Sequence, residues 1–151
     1  MTLLSWRHCE GATYREQSAA AHELLSAMLQ KAGIGETPQT ETPEGRPYFP
    51  AHPEVDFNLS HTKWMVVCAL AVGTVQAPPR GGVDAEGILR DLEKAARLAR
   101  RFFGEEELRY FESAVEKGVA FAEIFTAKEA YGKYVGDGLA VHLADDTWNP
   151  G

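Results

Sequence analysis

Two neighbouring stretches of the chain constrain its fold more than any other feature. They are VDFNLSH (55–61) and WMVVCALAV (64–72), which are rich in β-branched and aromatic residues and are separated by only two polar residues. Such a pair predicts two strands joined as a hairpin. In the first stretch, Asn58 and Ser60 alternate with apolar residues, so this strand is predicted to have one polar face and one apolar face.

Helical periodicity surrounds the hairpin. Apolar residues at helical spacing predict four helices, over 14–31, 89–103, 105–117 and 121–135. Two further short strands are predicted, at GVDAE (82–86) and at 139–143, and the last residues, 145–151, are predicted to fray.

Two stretches rich in Gly and Pro interrupt this pattern. Residues 33–47 predict a loop, and residues 76–82, which contain Pro78, Pro79, Gly81 and Gly82, predict a boundary. We therefore expect one domain made of a front lobe, 1–76, and a back lobe, 82–151.

Composition excludes several classes of protein. The chain has 15 Lys and Arg against 22 Asp and Glu, a net charge of −7, which disfavours a nucleic-acid partner. Its longest apolar run, 64–72, is well short of the roughly 18 residues of a membrane span. Two separated cysteines form neither a disulfide framework nor a zinc motif. With polar residues such as Arg7 near the N-terminus, where a signal peptide would be apolar, we expect a cytoplasmic protein.

Two carboxylates in GVDAE suggest a metal site. Side chains alternate along a strand, so Asp84 and Glu86 are expected on one face, where their mutual repulsion would be relieved by an oxygen-seeking divalent cation. Taken alone, so short and common a motif is more typical of a solvated strand end than of a metal site.

Three other groups of polar residues are candidate sites. Glu129 and Lys133 lie four apart on a predicted helix, which indicates either a presented carboxylate and ammonium or a modest surface ion pair. Ser60 and His61, at a strand end, indicate either a phosphate-binding site or side chains that hydrogen-bond only to the backbone. The last group is basic and spaced by four, three and four residues on the predicted helix 89–103, so it indicates either a dock for an acidic partner or a solvated face: Arg90, Lys94, Arg97 and Arg101.

The order of four motifs resembles one enzyme family. GRP (45–47), FNLSH (57–61), GVDAE (82–86) and FTAKEAYGKYVGDGL (125–139) are similar to the motifs of the 4'-phosphopantetheinyl transferases of the larger, two-lobed type, here shortened at both ends. The resemblance implies an α+β fold, in which two small α/β lobes with antiparallel sheets pack around a central cleft.

The resemblance also implies a reaction and a set of residues. The implied reaction moves the 4'-phosphopantetheine group of coenzyme A to a serine of an apo carrier protein and releases 3',5'-ADP. Mg2+ would be bound by Asp84, Glu86 and Glu129, with Glu129 also a candidate base and Lys133 on the diphosphate. The nucleotide end of coenzyme A would face Arg46, Ser60 and His61, with His61 on the 3'-phosphate.

Other readings compete with this one. A non-catalytic relative that binds coenzyme A or a carrier protein would be expected to have lost at least one of the three carboxylates, all of which are present. A metal-dependent nucleotide diphosphatase would use similar carboxylates but does not account for FNLSH or GRP. The shortened ends further predict a homodimer, in which self-association covers exposed apolar edges.

Overall fold

A computed structural model describes residues 1–11, 13–136 and 145–148 of the chain. The chain divides into two compact units, Met1–Ala85 and Glu86–Gly151. Residues 82–85, expected in the back lobe, therefore belong to the first unit.

The first unit is built on a three-stranded antiparallel sheet. Its strands β1 (Thr2–His8), β4 (Val55–His61) and β5 (Met65–Val72) are ordered β1-β5-β4, and two short strands, β2 (Thr40–Glu41) and β3 (Pro47–Tyr48), pair separately. The predicted hairpin is confirmed, with β4 paired to β5 along its length. Strand β1 was not predicted, and β2 lies within the stretch 33–47 that was predicted as a loop.

Helix α1 (Tyr14–Lys31) has the predicted bounds and packs on the sheet. A capping box starts it: Thr13 accepts a hydrogen bond from the Glu16 N–H, and the Glu16 carboxylate accepts one from the Thr13 N–H at 2.7 Å. The core lies between this helix and the sheet, where Phe57 stacks on Phe49 with ring centroids 4.6 Å apart. Cys68 is part of this core, and burial raises the pKa of its thiol to about 12.

The elements described in the second unit are three helices, α2 (Leu92–Phe102), α3 (Glu105–Ser113) and α4 (Lys117–Val135). Each differs from its prediction at one end or both. Helix α2 begins three residues later than expected because Asp91 caps it, accepting a hydrogen bond from the Lys94 N–H at 2.9 Å. Helix α4 ends at Gly136, whose φ of 86° is the left-handed conformation that glycine adopts readily.

A cluster of phenylalanines joins these three helices. Phe121 of α4 stacks on Phe103 and on Phe125, at 5.3 and 5.4 Å between ring centroids, and meets the edge of Phe111. Alanines on α2 close the cluster, since Ala95 and Ala99 are fully buried. The apolar side chains of the second unit therefore supply a core of its own.

Three expectations concern extended segments. The predicted strand at 82–86 is wrong, because the structure has no strand at these residues, and the N–H groups of Val83 and Ala85 bond side chains of β4. The expectation of a frayed end is wrong for residues 145–148, which hydrogen-bond to α3 and α4. The predicted strand at 139–143 lies outside the described residues.

Within the described part of the chain, none of the helices combines the length and apolar character that a membrane-spanning helix requires.

Candidate active site

The polar face of β4 holds the segment that carries Asp84. Backbone N–H groups of Gly81, Val83 and Ala85 donate hydrogen bonds to alternate side chains of the strand. The acceptors are Asp56 Oδ2 at 2.7 Å, Asn58 Oδ1 at 2.8 Å and Ser60 Oγ at 3.3 Å. Every second N–H group of the segment thus bonds every second side chain of β4. We call this set of bonds the ladder; it fixes residues 81–85 along β4.

The Ser60 side chain contacts Asp84, one of the predicted metal ligands. Its Oγ donates to Asp84 Oδ1 at 2.8 Å while accepting the Ala85 N–H. Ser60 is buried, as its neighbour Asn58 is. The hydroxyl thereby orients one oxygen of the Asp84 carboxylate.

Arg46 bonds to the start of the same segment, at Gly81. Its Nη2 lies 2.9 and 2.7 Å from the two carboxylate oxygens of Asp56, and it also donates to the Gly81 carbonyl at 2.9 Å. Both side chains of the ion pair are largely buried, with exposed fractions of 15% and 13%. The guanidinium that was predicted to face coenzyme A is thus bonded to the protein at this nitrogen.

His61 is held by the first turns of α1. Its Nδ1 lies 2.9 Å from Gln17 Oε1, and the Tyr14 ring meets it edge-on at 5.0 Å. A carbonyl oxygen can only accept, so Nδ1 carries a proton and donates it to Gln17. The neutral ring then has an acceptor at Nε2, and only the protonated ring can donate from Nε2 to a phosphate.

In the second unit, Glu129 and Lys133 lie one turn apart on α4, and both are half-buried. The residue before Glu129 is inaccessible to solvent: Lys128 is buried together with Gly132 on the face of α4 that packs into the unit. Adjacent helical residues differ by roughly 100° around the axis, so Glu129 points to a different side from Lys128.

Lys128 forms a buried ion pair with Glu107 of α3. Its Nζ lies 2.6 Å from Glu107 Oε2, with exposed fractions of 1% and 0%, and it also donates to the Asp145 carbonyl at 2.6 Å. Glu107 accepts backbone N–H bonds from Gly104, Thr147 and Trp148, at 2.9, 2.8 and 3.0 Å. One carboxylate therefore fastens α3, α4 and the segment 145–148 together.

The predicted basic stripe is partly reproduced. Lys94, Arg97 and Arg101 are exposed on α2, as expected. Arg90 precedes the cap residue Asp91, so it lies outside the helix and the helical spacing does not include it. Beside the stripe is a cavity of about 550 Å³, lined by Leu92, Glu93, Ala96, Arg97, Arg100 and Lys117.

The donor set fits the metal that the resemblance implies. Asp84, Glu86 and Glu129 offer carboxylate oxygens, the ligand type that Mg2+ prefers, and the Ser60 hydroxyl orients one of these carboxylates. Among the residues that the structure describes, no group of three or more His, Cys, Asp or Glu side chains is arranged to hold a metal ion. A Mg2+ site formed by this set is therefore a proposal.

Comparison with known proteins points to one family. A family model described as ACPS, the 4'-phosphopantetheinyl transferase superfamily, matches residues 80–149. The chain is 30% identical to a 4'-phosphopantetheinyl transferase of Bacillus subtilis over 105 residues, which are 66% of this chain and 41% of the relative. The chain is thus similar to the 4'-phosphopantetheinyl transferase superfamily over these residues.

Two further relatives agree with this assignment. The 4'-phosphopantetheinyl transferase gsp of Aneurinibacillus migulanus is 32% identical over 92 residues, 60% of this chain and 35% of the relative. The 4'-phosphopantetheinyl transferase HetI of Nostoc sp. is 37% identical over 86 residues, 56% and 34% of the two chains. The chain thus spans between about a third and two fifths of the length of these relatives. The expected mixture of helices and antiparallel strands is confirmed, and the two-lobed cleft stays a prediction.

Several residues around the site were not recognised from the sequence. Asp56 continues the alternation of Asn58 and Ser60 along β4, so the strand pattern contained that signal. Glu107 stands three residues after the cap of α3, the position of a capping-box glutamate. Gln17 has no local signal, since its contact with His61 joins residues 44 apart in sequence.

Proposed function

We propose that this chain transfers the 4'-phosphopantetheine group of coenzyme A to a serine of an apo carrier protein in a Mg2+-dependent reaction. The supporting observation is that all three predicted metal carboxylates and Lys133 lie within the residues that the family model matches. The orientation of Asp84 by Ser60 agrees with such a role.

Each residue has a proposed part in the reaction. Asp84, Glu86 and Glu129 hold Mg2+, which when bound neutralises charge on the diphosphate. The serine Oγ bonds to one phosphorus of the diphosphate, and the bond from that phosphorus to the leaving oxygen of 3',5'-ADP breaks. Glu129 accepts the serine proton, and Lys133 stabilises the negative charge that builds up on the phosphate oxygens.

The nucleotide end of coenzyme A is proposed to meet His61 at its 3'-phosphate. The contact requires the protonated ring, because Nδ1 already donates to Gln17 and only a proton on Nε2 can reach the phosphate. Arg46 and Ser60 are proposed to lie at the same end of the nucleotide.

An intact-mass experiment tests this proposal. The protein is incubated with Mg2+, coenzyme A and an apo carrier protein, and the carrier is examined for added phosphopantetheine. Addition is expected with the wild type and is expected to fall strongly in Asp84→Asn, Glu86→Gln and Glu129→Gln, because each variant loses a charge that holds the metal. Coenzyme A binding without addition would indicate a non-catalytic relative, and hydrolysed coenzyme A without addition would indicate a diphosphatase.

Carrier docking is proposed at the basic face of α2. Lys94, Arg97 and Arg101 are exposed there, and the adjacent cavity adds an apolar wall to the cations Arg100 and Lys117. Carrier proteins of this family's substrates are typically acidic, so attraction to this face would steer their approach. Arg90 lies before the helix, so the helical spacing does not place it on this face.

Charge reversal tests the docking face. Lys94→Glu with Arg97→Glu is expected to raise KM for the carrier and to flatten the salt dependence of kcat/KM, leaving KM for coenzyme A unchanged. Arg109→Glu on α3 is the matched control, since this exposed residue lies on another helix. If the double variant has the carrier kinetics of the wild type, the docking proposal is rejected and these basic residues are only a solvated surface.

Self-association is proposed on the exposed apolar residues of the edge strand β1. Leu4 and Trp6 are 68% and 58% exposed. A homodimer mass is expected in light scattering at micromolar concentration, and a monomer mass would reject it.

A further inference from the structure

Gln17 is a polar residue on the apolar face of α1. The side chains that this helix buries are Gln17, Ala21, Leu24, Leu25, Met28 and Leu29. An apolar residue would suit the first of these positions by burial alone, whereas a buried amide needs hydrogen-bond partners. Gln17 is only 9% exposed, so its contacts inside the protein determine what this amide contributes.

The amide of Gln17 contacts the ring of His61. Side chains alternate along β4, so His61 lies on the opposite face of the strand from the ladder, which is the face that packs against α1. Gln17 Oε1 lies 2.9 Å from His61 Nδ1. This contact joins the first turns of the helix to the end of the strand.

The start of α1 fixes the position of this amide. The Gln17 N–H donates to the Thr13 carbonyl at 2.9 Å, next to the capping box that begins the helix. Tyr14, one turn before Gln17, packs on the same imidazole, with ring centroids 5.0 Å apart and ring planes inclined at 72°. Two side chains of α1 therefore restrict the His61 ring, one through Nδ1 and the other by ring packing.

These contacts determine how His61 can meet a ligand. A carbonyl oxygen only accepts, so the bond to Gln17 keeps a proton on Nδ1 and leaves Nε2 as the nitrogen that can face a phosphate. We propose that Gln17 is a positioning residue for the 3'-phosphate of coenzyme A, which fixes the tautomer and the orientation of His61 and thereby selects coenzyme A over 3'-dephospho-coenzyme A. The inference rests on the proposed function, because it takes His61 as the contact to the 3'-phosphate.

The amide of Gln17 is neutral, and this determines how the ring acquires its charge. A carboxylate at position 17 would favour the imidazolium before any ligand binds, whereas an amide oxygen accepts the Nδ1 proton of the neutral and the charged ring alike. The second proton, on Nε2, is therefore favoured by the phosphate itself. We expect coenzyme A to take up a proton when it binds at a pH where the free ring is neutral, with no corresponding uptake for 3'-dephospho-coenzyme A.

Other titratable groups lie on the segments around His61. Those on β1, on α1 and next to the strand ends include Arg7, Cys9, Tyr14, Glu16, Glu23 and Lys63. Arg7 lies across β5 in the same row of the sheet as His61 and pairs with Glu23 at 3.3 Å, while Glu16 is bonded to the helix cap. Tyr14 is the member of this set that contacts the ring. Proton uptake is therefore assigned by comparing variants at positions 61 and 17.

Three variants test the role of the amide. Gln17→Leu removes the acceptor and suits the apolar face of α1, so this variant is expected to fold. Gln17→Glu keeps an acceptor for the Nδ1 proton. Gln39→Leu is the matched control, because Gln39 bonds a different histidine of the same unit, with its Nε2 lying 3.3 Å from His22 Nε2. Thermal unfolding followed by circular dichroism checks that all three variants fold.

Calorimetry measures the affinities of coenzyme A and 3'-dephospho-coenzyme A with Mg2+ present, so that neither carrier nor turnover is needed. In Gln17→Leu, the preference for coenzyme A is expected to fall roughly 2- to 10-fold, the size of one hydrogen bond, with the affinity for the dephospho form nearly unchanged. Gln17→Glu and Gln39→Leu are expected to keep the preference.

The same titrations in buffers of different ionisation enthalpy give the number of protons taken up. The uptake linked to the 3'-phosphate is expected to be smaller in Gln17→Glu, whose carboxylate favours the charged ring beforehand, and absent in His61→Ala. An uptake in His61→Ala equal to that of the wild type would overturn the proposed role of the ring.

Nitrogen-15 NMR of the histidine side chains determines the tautomer without any ligand. The signals of His61 are those that His61→Ala lacks. At a pH where the ring is neutral, we expect the Nδ1–H tautomer in the wild type and a mixture of tautomers in Gln17→Leu. An Nε2–H tautomer in the wild type would overturn the inference, since the amide would then donate to Nδ1.

The outcomes separate this inference from a structural bond and from the proposed function. A bond that only tethers α1 to β4 would change both affinities alike, so equal losses for the two ligands in Gln17→Leu would overturn the inference. A selective loss in Gln17→Leu, in a protein that modifies no carrier, would support the inference and reject the transferase. Carrier modification by a wild type that binds both ligands equally would support the transferase and overturn the inference.

Discussion

Removal of either member of the buried pair Glu107–Lys128 is predicted to destabilise the second unit, but by unequal amounts. Removing one partner of a buried ion pair typically costs about 3 to 5 kcal/mol, because the other charge stays buried and uncompensated. Here the two partners differ in what remains to them. Glu107 keeps backbone N–H bonds from Gly104, Thr147 and Trp148, whereas Lys128 keeps, among the residues that the structure describes, the Asp145 carbonyl and a longer contact to the Thr147 hydroxyl.

This difference in remaining hydrogen bonds predicts which variant loses more free energy of unfolding. In Lys128→Met, the carboxylate retains those N–H donors, so we expect the free energy of unfolding to fall by about 2 to 3 kcal/mol, at or below the lower end of that range. In Glu107→Ala, a buried ammonium loses its counter-charge and three N–H groups lose their acceptor. We expect a loss of about 4 to 5 kcal/mol for this variant.

Urea denaturation followed by circular dichroism measures the two losses. Amide hydrogen exchange in α3 and α4 assigns them to the second unit, since the first unit has its own helix and core. Arg109→Met is the control: its ion pairs with Glu105 and Glu106 are exposed, so its loss is expected to stay below about 1 kcal/mol. An equal or larger loss for Lys128→Met than for Glu107→Ala would refute the reasoning, as would losses as small as the control.

Three other predictions follow from single contacts. Gly104→Ala would place its Cβ against Asp146, whose Oδ1 accepts the N–H groups of the first turn of α3. We therefore expect Gly104→Ala and Asp146→Ala each to cost about 1 to 2 kcal/mol in denaturation. Hydrogen bonds from Thr13, first its N–H and then its side chain, lower the pKa of Glu16. The stability they give is present above the ordinary carboxyl pKa and lost as the pH falls through the lowered value, and an NMR titration of Thr13→Ala should show a smaller lowering. His61→Ala should raise KM for coenzyme A much more than KM for 3'-dephospho-coenzyme A, and equal effects on both would point to a purely structural histidine.

Elements with strong local signals could be predicted from the sequence. The helix at Tyr14–Lys31 and the hairpin of β4 and β5 show the expected apolar periodicity and are bounded by residues that end a helix or a strand. The start of α2 was placed three residues early, although Asp91 is a preferred cap residue and contained the signal. The end of α3 at Ser113 had no such signal, because neither Gly nor Pro follows it before Gly118; there the Lys117 ammonium bonds the last carbonyls of the helix at Phe111 and Glu112.

Long-range contacts limited what the sequence could say about the site. The motifs identified Asp84, Glu129 and their neighbours, but nothing local relates Arg46 to the Gly81 carbonyl or Lys128 to Asp145. From the sequence, Arg46 was therefore interpreted as a ligand of the coenzyme A nucleotide, and Lys128 was interpreted as a motif residue without an assigned role. Their bonding partners became apparent only when segments far apart in sequence came together.

The two units share a solution to one physical problem, and in each unit it lies next to a predicted metal carboxylate, Asp84 in the first and Glu129 in the second. An extended segment with no strand partner must place its N–H groups on other acceptors, because a buried N–H left unbonded costs free energy. Residues 81–85 use side chains of β4, and residues 147 and 148 use the carboxylate of Glu107. A side-chain acceptor, unlike a neighbouring strand, also binds other groups, so Ser60 reaches Asp84 and Glu107 reaches the lysine that precedes Glu129. The same bonds that hold these extended segments thus also fix a carboxylate or the helix that carries one.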